Sequence, residues 1–271
     1  FGVQTMAFYG WNFGRLESDD TRKDESGTYA LDTLGENETI ARLATGVKRF
    51  PLPDEFNFIK LYQAIAESAH DAQGVRALAA LAQIFENRRQ YPKAADYWRK
   101  AIQRTSGREQ ENYTNRLQQI VGNWGQFEPI TTQPAGKGAT VDYRFRNGNE
   151  VRFTAKEIDV VQLLDDVKAY LKTRPNQLDG NRLNISNIGY RLVHENQEKY
   201  ARKQVASWTT KLEPREAHFD RRITVATPLT TPGAYLLTAQ MNDGNTSHVV
   251  LWVADTAIVK KPLDQKVYLF V

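Results

Sequence analysis

Four histidines are the side chains of this sequence best suited to bind a metal ion or to move a proton near neutral pH. They lie far apart, and none has a second histidine or a carboxylate at the helical spacing of a metal site. His218 stands beside Glu216 and Asp220, so folding could assemble a site there, but a solvated loop histidine is the interpretation we favour. We therefore expect no metal centre and no cofactor at these residues, which are His70, His194, His218 and His248.

Motifs for nucleophilic and phosphate chemistry are also missing. The sequence has no cysteine, which excludes thiolate chemistry and disulfides, and it has no Gly-x-Ser-x-Gly elbow. Gly136-Lys137-Gly138 has the composition of a phosphate loop, but it precedes a predicted strand and therefore indicates a flexible turn. Asp165 and Asp166 point about 100° apart on a helix, so they predict a solvated face and not an acid/base pair. The sequence therefore predicts no catalytic residue and no enzyme.

Aromatic side chains cluster in two short segments that also contain glycine. Such clusters could form a platform for a carbohydrate or a peptide. We favour the interpretation that they anchor an N-terminal segment and a linker between domains. The first segment contains Phe8, Tyr9, Trp11 and Phe13, and the second contains Trp124 and Phe127.

Length, composition and charge set the class of protein. At roughly 150 residues per domain, 271 residues predict about two domains. Charged residues make up 25% of the chain, and hydrophobic residues make up 41%, which is typical of a globular protein and excludes a disordered or collagen-like chain. Residues 1–121 have equal numbers of basic and acidic side chains, so the net charge of +4 lies in residues 122–271. There the signs alternate without forming a basic stripe, and we expect no nucleic-acid partner.

The termini and the apolar runs give no sign of a membrane or targeting segment. No run approaches the roughly 18 apolar residues of a transmembrane helix. The chain begins at Phe1 without the basic, apolar and small-residue regions of a signal peptide, so we interpret it as an interior fragment.

Residues 54–121 carry apolar side chains at helical spacing, with Asp54 as the predicted N-cap of the first helix. Residues 75–105 then form a predicted helical hairpin in which small side chains face large ones, so that the two helices can approach closely. This hairpin resembles one tetratricopeptide repeat. The predicted face of the first helix is Phe58, Leu61, Tyr62, Ile65 and Ala69, and the hairpin core is Leu78, Leu81, Ala82, Phe85, Ala94, Trp98 and Ala101.

From Gly122 onward the hydrophobic period changes to two, which predicts strands. Asn147-Gly148 lies between two alternating runs and predicts a hairpin turn, as does Asp243-Gly244. Short strands separated by turns indicate an antiparallel β-sandwich, and Tyr235 after a tight turn is typical of a tyrosine corner. The alternating runs are Val141 to Phe145, Val151 to Ala155, Tyr235 to Met241 and Val249 to Val253, and further strands are predicted at Gln204–Leu212 and Arg221–Ala226.

One helix interrupts the strand pattern at about residues 159–173. Asp159 is its predicted N-cap with Gln162 three residues later, and Pro175 follows its end. The polar run 174–187 then predicts a loop that returns to the sandwich. The apolar stripe of the helix is Leu163, Leu164, Val167, Tyr170 and Leu171.

The predicted fold class is therefore α+β, with a helical domain at 1–121 and a sandwich with an inserted helix at 122–255. Residues 256–271 predict the first strand of a truncated following domain, with a turn at Pro262 and a last strand at Val267–Val271. Several segments of residues 122–271 resemble bacterial α2-macroglobulin-like proteins. They are Asn123–Pro129, Tyr143–Gly148, Val205–Trp208, Thr227–Leu229 with Pro232–Leu237, and Val250–Lys261.

The resemblance implies successive β-sandwich domains in a large periplasmic or secreted protein that traps proteases. Its partners would be the rest of the macroglobulin chain and, through the full-length protein, proteases. The Cys-Gly-Glu-Gln thioester motif is missing, and no bait segment is recognisable, so no functional residue of the family carries over. We expect a non-catalytic scaffold; the alternative is an interaction module that binds a partner peptide through the helical repeat-like domain.

Overall fold

The computed structural model describes residues 31–43, 46–130, 132–256, 259–263 and 266–270. Its α+β chain divides into two units by Cα packing. Unit 1 takes the chain up to Trp124 together with residues 145–147 and 213–222, and unit 2 takes residues 125–144, 148–212 and 223–271. Within the described ranges no helix is long and apolar enough to cross a membrane.

Unit 1 is built on helices, as the periodicity predicts. The predicted cap of the first helix is wrong: residues 54–56 form a 3₁₀ turn, and Asn57 caps the helix by accepting from the amides of Ile59 and Lys60 at 3.1 and 3.2 Å. The Asp54 carboxylate pairs instead with the Lys60 ammonium group at 2.6 Å. The helices are α1 (Phe58–Ser68), α2 (Ala72–Asn87), α3 (Tyr91–Gln103) and α4 (Gly107–Val121).

The buried face of α1 differs in part from the predicted one. Ile59 and Ala66 are buried beside Phe58, whereas Leu61 is 49% exposed and Ile65 is 40% exposed. The apolar residues of this helix form two overlapping stripes at helical spacing. Periodicity alone cannot decide between such stripes, because only the packing of α1 on its neighbours fixes its rotation.

The hairpin of α2 and α3 has the predicted core, and each predicted core side chain is at most 5% exposed. The neighbouring helices cover it: the Trp98 ring lies 5.1 Å from that of Tyr113 on α4. The Trp98 indole donates to Glu86 at 2.6 Å, and Glu86 also pairs with Arg116. Burial raises the pKa of Glu86. The resemblance to a tetratricopeptide repeat stays a prediction.

A two-stranded hairpin that the sequence analysis did not predict precedes α1. It consists of β1 (Glu38–Leu43) and β2 (Gly46–Pro51). Arg88 at the end of α2 holds this segment, since its guanidinium donates to the backbone oxygens of Gly35 at 2.9 Å and Glu38 at 2.7 Å. Arg88 is 1% exposed, and burial lowers its pKa to about 10.

Replacing Arg88 tests this attachment. We expect Arg88→Met to lower the free energy of unfolding by about 2–4 kcal/mol, because two part-buried carbonyls lose a charged donor. Amide hydrogen exchange in β1 should accelerate at the same time. Urea unfolding and exchange rates measure both effects, with Arg99→Met as the control because Arg99 forms an exposed pair with Asp96. Equal losses in the two variants would contradict the role of Arg88.

Two sheets form the β-sandwich of the chain. Their strands are β3 (Trp124–Phe127), β4 (Gln133–Pro134), β5 (Thr140–Arg146), β6 (Glu150–Ile158), β7 (Ala201–Lys211), β8 (Arg221–Ala226), β9 (Gly233–Met241) and β10 (Thr246–Ala254). One sheet has the strand order β4-β10-β9-β6-β7, and the other has the order β3-β5-β8. The prediction of an antiparallel sandwich is wrong in one place, because β4 pairs with β10 in parallel.

The predicted hairpin at Asn147-Gly148 is wrong in its pairing. β5 lies between β3 and β8, whereas β6 lies between β9 and β7 of the other sheet. Asn147 has the predicted positive φ of 60°, and a Cβ atom at Gly148 would stand 2.2 Å from the sulfur of Met241. Gly148 does not have a positive φ, so the predicted turn, which needs positive φ at both residues, does not form here. A local signal also does not specify which strand pairs with which. The predicted hairpin of β9 and β10 is confirmed.

The sandwich core is aromatic and alternates as predicted along β5 and β6. The Phe153 ring lies 5.4 Å from Tyr143, 5.8 Å from Phe127 and 5.3 Å from Trp208, so it joins the two sheets. The predicted tyrosine corner is confirmed, because the Tyr235 hydroxyl donates to the backbone oxygen of Thr231 at 2.9 Å.

The segment between β6 and β7 contains more structure than one helix and a loop. Helix α5 (Val160–Lys172) has the predicted cap, since Asp159 accepts from the amide of Gln162 at 3.0 Å. The predicted loop 174–187 is wrong: it contains α6 (Gly180–Leu183) and a 3₁₀ turn at 185–187, followed by α7 (Ile188–Val193). A hydrophobic cluster fixes the segment on the sheet; it consists of Ile158, Leu163, Ile188, Leu192, Tyr200 and Ala234.

Only part of the predicted stripe of α5 is buried. Leu163 is fully buried, whereas Leu164 is 37% exposed and Leu171 is 46% exposed. We therefore expect Leu163→Ala to lower the free energy of unfolding by about 2–5 kcal/mol because it leaves a cavity. Leu171→Ala is the matched control, with an expected loss of about 0.5 kcal/mol or less. Urea unfolding of both variants measures the difference, and a larger loss for Leu171→Ala would contradict this placement of α5.

The last described residues form a pair of strands, β11 (Val259–Leu263) and β12 (Lys266–Phe270). The strands are antiparallel, and Pro262 lies within β11 opposite Val267. The predicted turn at Pro262 is therefore wrong, because proline fits a strand that needs no hydrogen bond from its nitrogen. Val271 lies outside the described residues.

Candidate functional site

His218 is not the solvated loop histidine that the sequence predicts. It is half-buried, and its Nδ1 lies 2.8 Å from Oδ1 of Asn147. The Asn147 amide nitrogen donates to two backbone oxygens at the end of α4, so its oxygen is the acceptor, and we assign the hydrogen to Nδ1 of His218. Asp220 does not join it as a ligand, because it pairs with Arg146 at 2.8 Å. Burial lowers the pKa of His218, which favours a neutral ring.

The other histidines are separate from His218. His70 is exposed after the end of α1, and the His194 ring contacts Tyr190 at 4.8 Å. Nδ1 of His248 lies 3.0 Å from the Thr238 hydroxyl, and burial, followed by the charge of His194, lowers the pKa of His248. Among the described residues, no three histidine or acidic side chains form a group that could hold a metal ion.

The remaining candidate residues lie in a turn, in or beside the sandwich core, and on the exposed face of α5. Gly136 and Gly138 have φ values of 83° and 78° in a turn, as predicted. Phe127 belongs to the sandwich core, and the Trp124 ring carries the Arg146 guanidinium at 5.6 Å. Asp165 forms the exposed pair expected of a solvated face, with Lys168 at 3.3 Å. The aromatic residues Phe8, Tyr9, Trp11 and Phe13 lie outside the described residues.

Asp166 departs from the predicted solvated face. Its carboxylate accepts from the Lys199 ammonium group at 2.5 Å, from the Tyr200 hydroxyl at 2.7 Å and from the Gln162 amide at 2.8 Å. The hydrogen bond from Lys199, followed by that from Tyr200, lowers the pKa of Asp166 to about 2. A carboxyl group with this pKa holds no proton at neutral pH and is a weak base. The Asp166 carboxylate therefore positions its three donors.

These residues border a cavity of about 450 Å³ within the inserted segment 159–200. Helix α5 supplies one wall, α6 and α7 supply one arginine each, and the 3₁₀ turn at 198–200 closes the other side. The lining combines three cationic side chains with one carboxylate and two tyrosine rings. It consists of Asp166, Val167, Ala169, Tyr170, Thr173, Arg182, Arg191, Lys199 and Tyr200.

A chain of hydrogen bonds organises this lining around Tyr200, which is 1% exposed. The Tyr200 hydroxyl accepts from Nη2 of Arg191 at 2.9 Å and donates to Asp166. Nε of Arg191 donates to Gln197 at 3.0 Å. The Arg191 guanidinium and the Lys199 ammonium group also lie 4.9 and 4.7 Å from the centre of the Tyr200 ring, at cation–π distance. The cavity is therefore the candidate functional site of the chain.

The sequence analysis predicted no functional site here: it placed Asp166 on a solvated face, and Val167 and Tyr170 in the apolar stripe of α5. Arg182 and Arg191 belong to short helices, and Lys199 and Tyr200 to a single 3₁₀ turn, none of which is long enough to show a hydrophobic period. Arg182 also lies in the polar run that the composition predicts to be a loop. Only the helical folding of that run brings these residues together.

Replacing Asp166 tests its role in the site. Because its folded pKa lies below the unfolded value of about 3.9, its contribution to stability is complete at neutral pH and is lost as pH falls toward 2. We expect Asp166→Asn to be less stable than wild type at pH 7, with a difference that shrinks between about pH 5 and pH 2. Urea unfolding at several pH values measures it. The neighbouring variant Asp165→Asn should show neither effect, and a difference independent of pH would contradict this assignment.

No protein-family model matches the chain, and no curated protein matches it. Its structure is similar to that of a fragment of α2-macroglobulin from Escherichia coli spanning domains MG0-NIE-MG1, with a TM-score of 0.33 and 14% identity. This match covers 52% of the chain and 42% of the solved fragment, which is less than half of its length. A fragment of the same protein spanning domains NIE-MG1 is similar with a TM-score of 0.31 and 14% identity, and the match covers 55% of this chain and 69% of that fragment.

A third solved structure is a CARDB domain from Pyrococcus furiosus in complex with di-metal ions. Its TM-score is 0.24 and its identity 11%, over 49% of this chain and 87% of that domain. All three TM-scores lie below 0.5, so these likenesses carry no argument about function.

Proposed function

We propose that this chain is a non-catalytic scaffold of a bacterial α2-macroglobulin-like protein, a periplasmic or secreted protein that traps proteases. In this role the chain positions other parts of the protein that contact the protease. The proposal starts from the sequence resemblance of residues 122–271 to this family. The observation that carries it is the two-sheet sandwich with its tyrosine corner, described above.

The positions that carry the resemblance support a framework role. Trp208 stacks on the core ring of Phe153, Tyr235 forms the corner, and Leu237 is fully buried. Buried positions of this kind report packing, whereas a shared active site resembles its relatives at exposed polar side chains. The buried positions within the resembling segments therefore fit a shared framework.

The alternative function is peptide binding by the hairpin of α2 and α3. The large core side chains of that hairpin are buried: Leu81 and Phe85 are 0% exposed, and Trp98 is 5% exposed. Residues of α1 and α4, including Tyr62 and Leu117, pack against this core. A hairpin covered by its own neighbours fits a helical spacer better than an open peptide groove, which favours the scaffold.

A protease-protection assay tests the scaffold role. We incubate the chain with several proteases and follow cleavage of a large protein substrate. We expect no stoichiometric protection, because trapping in this family needs a cleavable bait and a rearrangement of many domains. An equal mass of an unrelated protein controls for simple competition. Stoichiometric protection by the chain alone would show that it carries inhibitory function itself.

Sequencing the reading frame beyond Val271 tests the assignment to the family. We expect further β-sandwich domains and a segment open to protease cleavage. A stop codon directly after Val271 would contradict the proposal, because a scaffold needs the parts that it positions.

A further inference from the structure

The cavity of the inserted segment contains a buried cation that no described carboxylate pairs with. Arg191 is 8% exposed, and its acceptors, Gln197 and the Tyr200 hydroxyl, are both neutral. Its third nitrogen, Nη1, is buried and has no acceptor among the described residues. A buried charge is costly unless it is paired, and a donor left without an acceptor adds to that cost. Within the described part of the chain Arg191 therefore lacks a negatively charged partner.

The rest of the lining does not supply that partner. Asp166 is the one carboxylate of the lining, and Lys199 and Tyr200 already occupy it. Arg182 adds a further positive charge, which is 66% exposed and lies 3.6 Å from the Asp179 carboxylate outside the lining. The lining therefore carries three cationic side chains against one anionic side chain.

We propose that this cavity binds a small molecule through an oxyanion group, either a carboxylate or a phosphate, that pairs with Arg191. The volume of about 450 Å³ falls within the roughly 300–1,000 Å³ of small-molecule sites. Nη1, the one guanidinium nitrogen of Arg191 that has no acceptor among the described residues, can donate to an oxygen of a carboxylate or phosphate, and such charge-assisted hydrogen bonds are stronger than neutral ones. Tyr200 and Gln197 fix the orientation of Arg191 before the ligand arrives, which reduces the entropy lost on binding.

Arg182 provides a second contact at the mouth of the cavity. Its guanidinium lies 5.2 Å from the centre of the Tyr170 ring, which holds it beside the lining. Because it is exposed, its removal does not uncover a core. Arg182→Gln is therefore the variant that separates loss of binding from loss of folding. This inference does not depend on the macroglobulin proposal, since it rests on residues of the inserted segment alone.

Titration calorimetry at constant ionic strength and pH 7 tests the site, with inorganic phosphate and benzoate as separate probes. We expect saturable binding at one site for at least one probe, with Kd of about 1 mM or tighter. Arg191→Gln should abolish binding, and Arg182→Gln should weaken it about tenfold. Lys172→Gln is the matched control, because Lys172 is an exposed cation at the end of α5 outside the lining and its loss should leave Kd unchanged.

Each outcome decides the proposal. Binding of phosphate alone or of benzoate alone supports it and identifies the class of oxyanion. Failure of both probes to bind overturns it, as does equal weakening by Lys172→Gln, which would indicate general attraction to a basic surface. If Arg191→Gln does not fold, Arg182→Gln decides: unchanged binding in that folded variant overturns the proposed site.

Discussion

A buried guanidinium must have acceptors, and this requirement organises both units of the chain. A guanidinium keeps its charge inside a protein, so the fold must build polar groups around it. In unit 1 Arg88 collects the backbone oxygens of Gly35 and Glu38, which attaches the β1 segment to the helices. In unit 2 Arg191 collects Gln197 and Tyr200, which draws the turn at 198–200 against α7. Hydrophobic clusters pack the helices that carry these arginines in each unit.

The two arginines differ in how far their charge is balanced. The negative charges of Glu36 and Glu38 favour the charged form of Arg88 and partly offset the effect of burial on its pKa. The oxygens to which Arg88 donates belong to the backbone of the same segment. Among the residues that the structure describes, Arg191 has only neutral acceptors, and Asp166 is linked to it through the Tyr200 hydroxyl. The first arrangement supplies Arg88 with nearby negative charges and with backbone acceptors from one segment, which fits a structural role, although its Nε, like Nη1 of Arg191, has no acceptor among the described residues. The second has capacity for one more anionic group, which is a property of a binding site.

The sequence predicts the parts of this fold that depend on local chemistry. The cap at Asp159, the positive φ at Asn147 and the alternating core of β5 and β6 follow from residue type and spacing. It does not predict which sheet a strand joins after Asn147, because pairing depends on residues far along the chain. The rotation of α1 is ambiguous for a related reason, since Leu61 and Ile59 both fit a helical stripe.

The cavity is the least predictable part of the structure. Its charged residues are spread from Asp166 to Lys199, and a polar stretch between them has the composition of a loop. The sequence around Asp166 predicts a solvated carboxylate, because its own helix supplies only the donor Gln162. Its donors come from a turn more than thirty residues later, at Lys199 and Tyr200. Such a site can be found only after the fold of the intervening residues is known.

The division of unit 1 into separate stretches of chain affects when its contacts can form during synthesis. The helices are complete at Val121, yet Phe219, whose ring lies 5.3 Å from that of Tyr91, belongs to the same unit. About 100 residues separate the two, which at roughly 5–20 residues per second means that the ribosome reaches Phe219 about 5–20 s later. During that interval the contact between the rings of Tyr91 and Phe219 cannot form. Unit 1 therefore completes its packing only after most of unit 2 has left the ribosome, and neither unit can be cut out as one continuous piece of the gene.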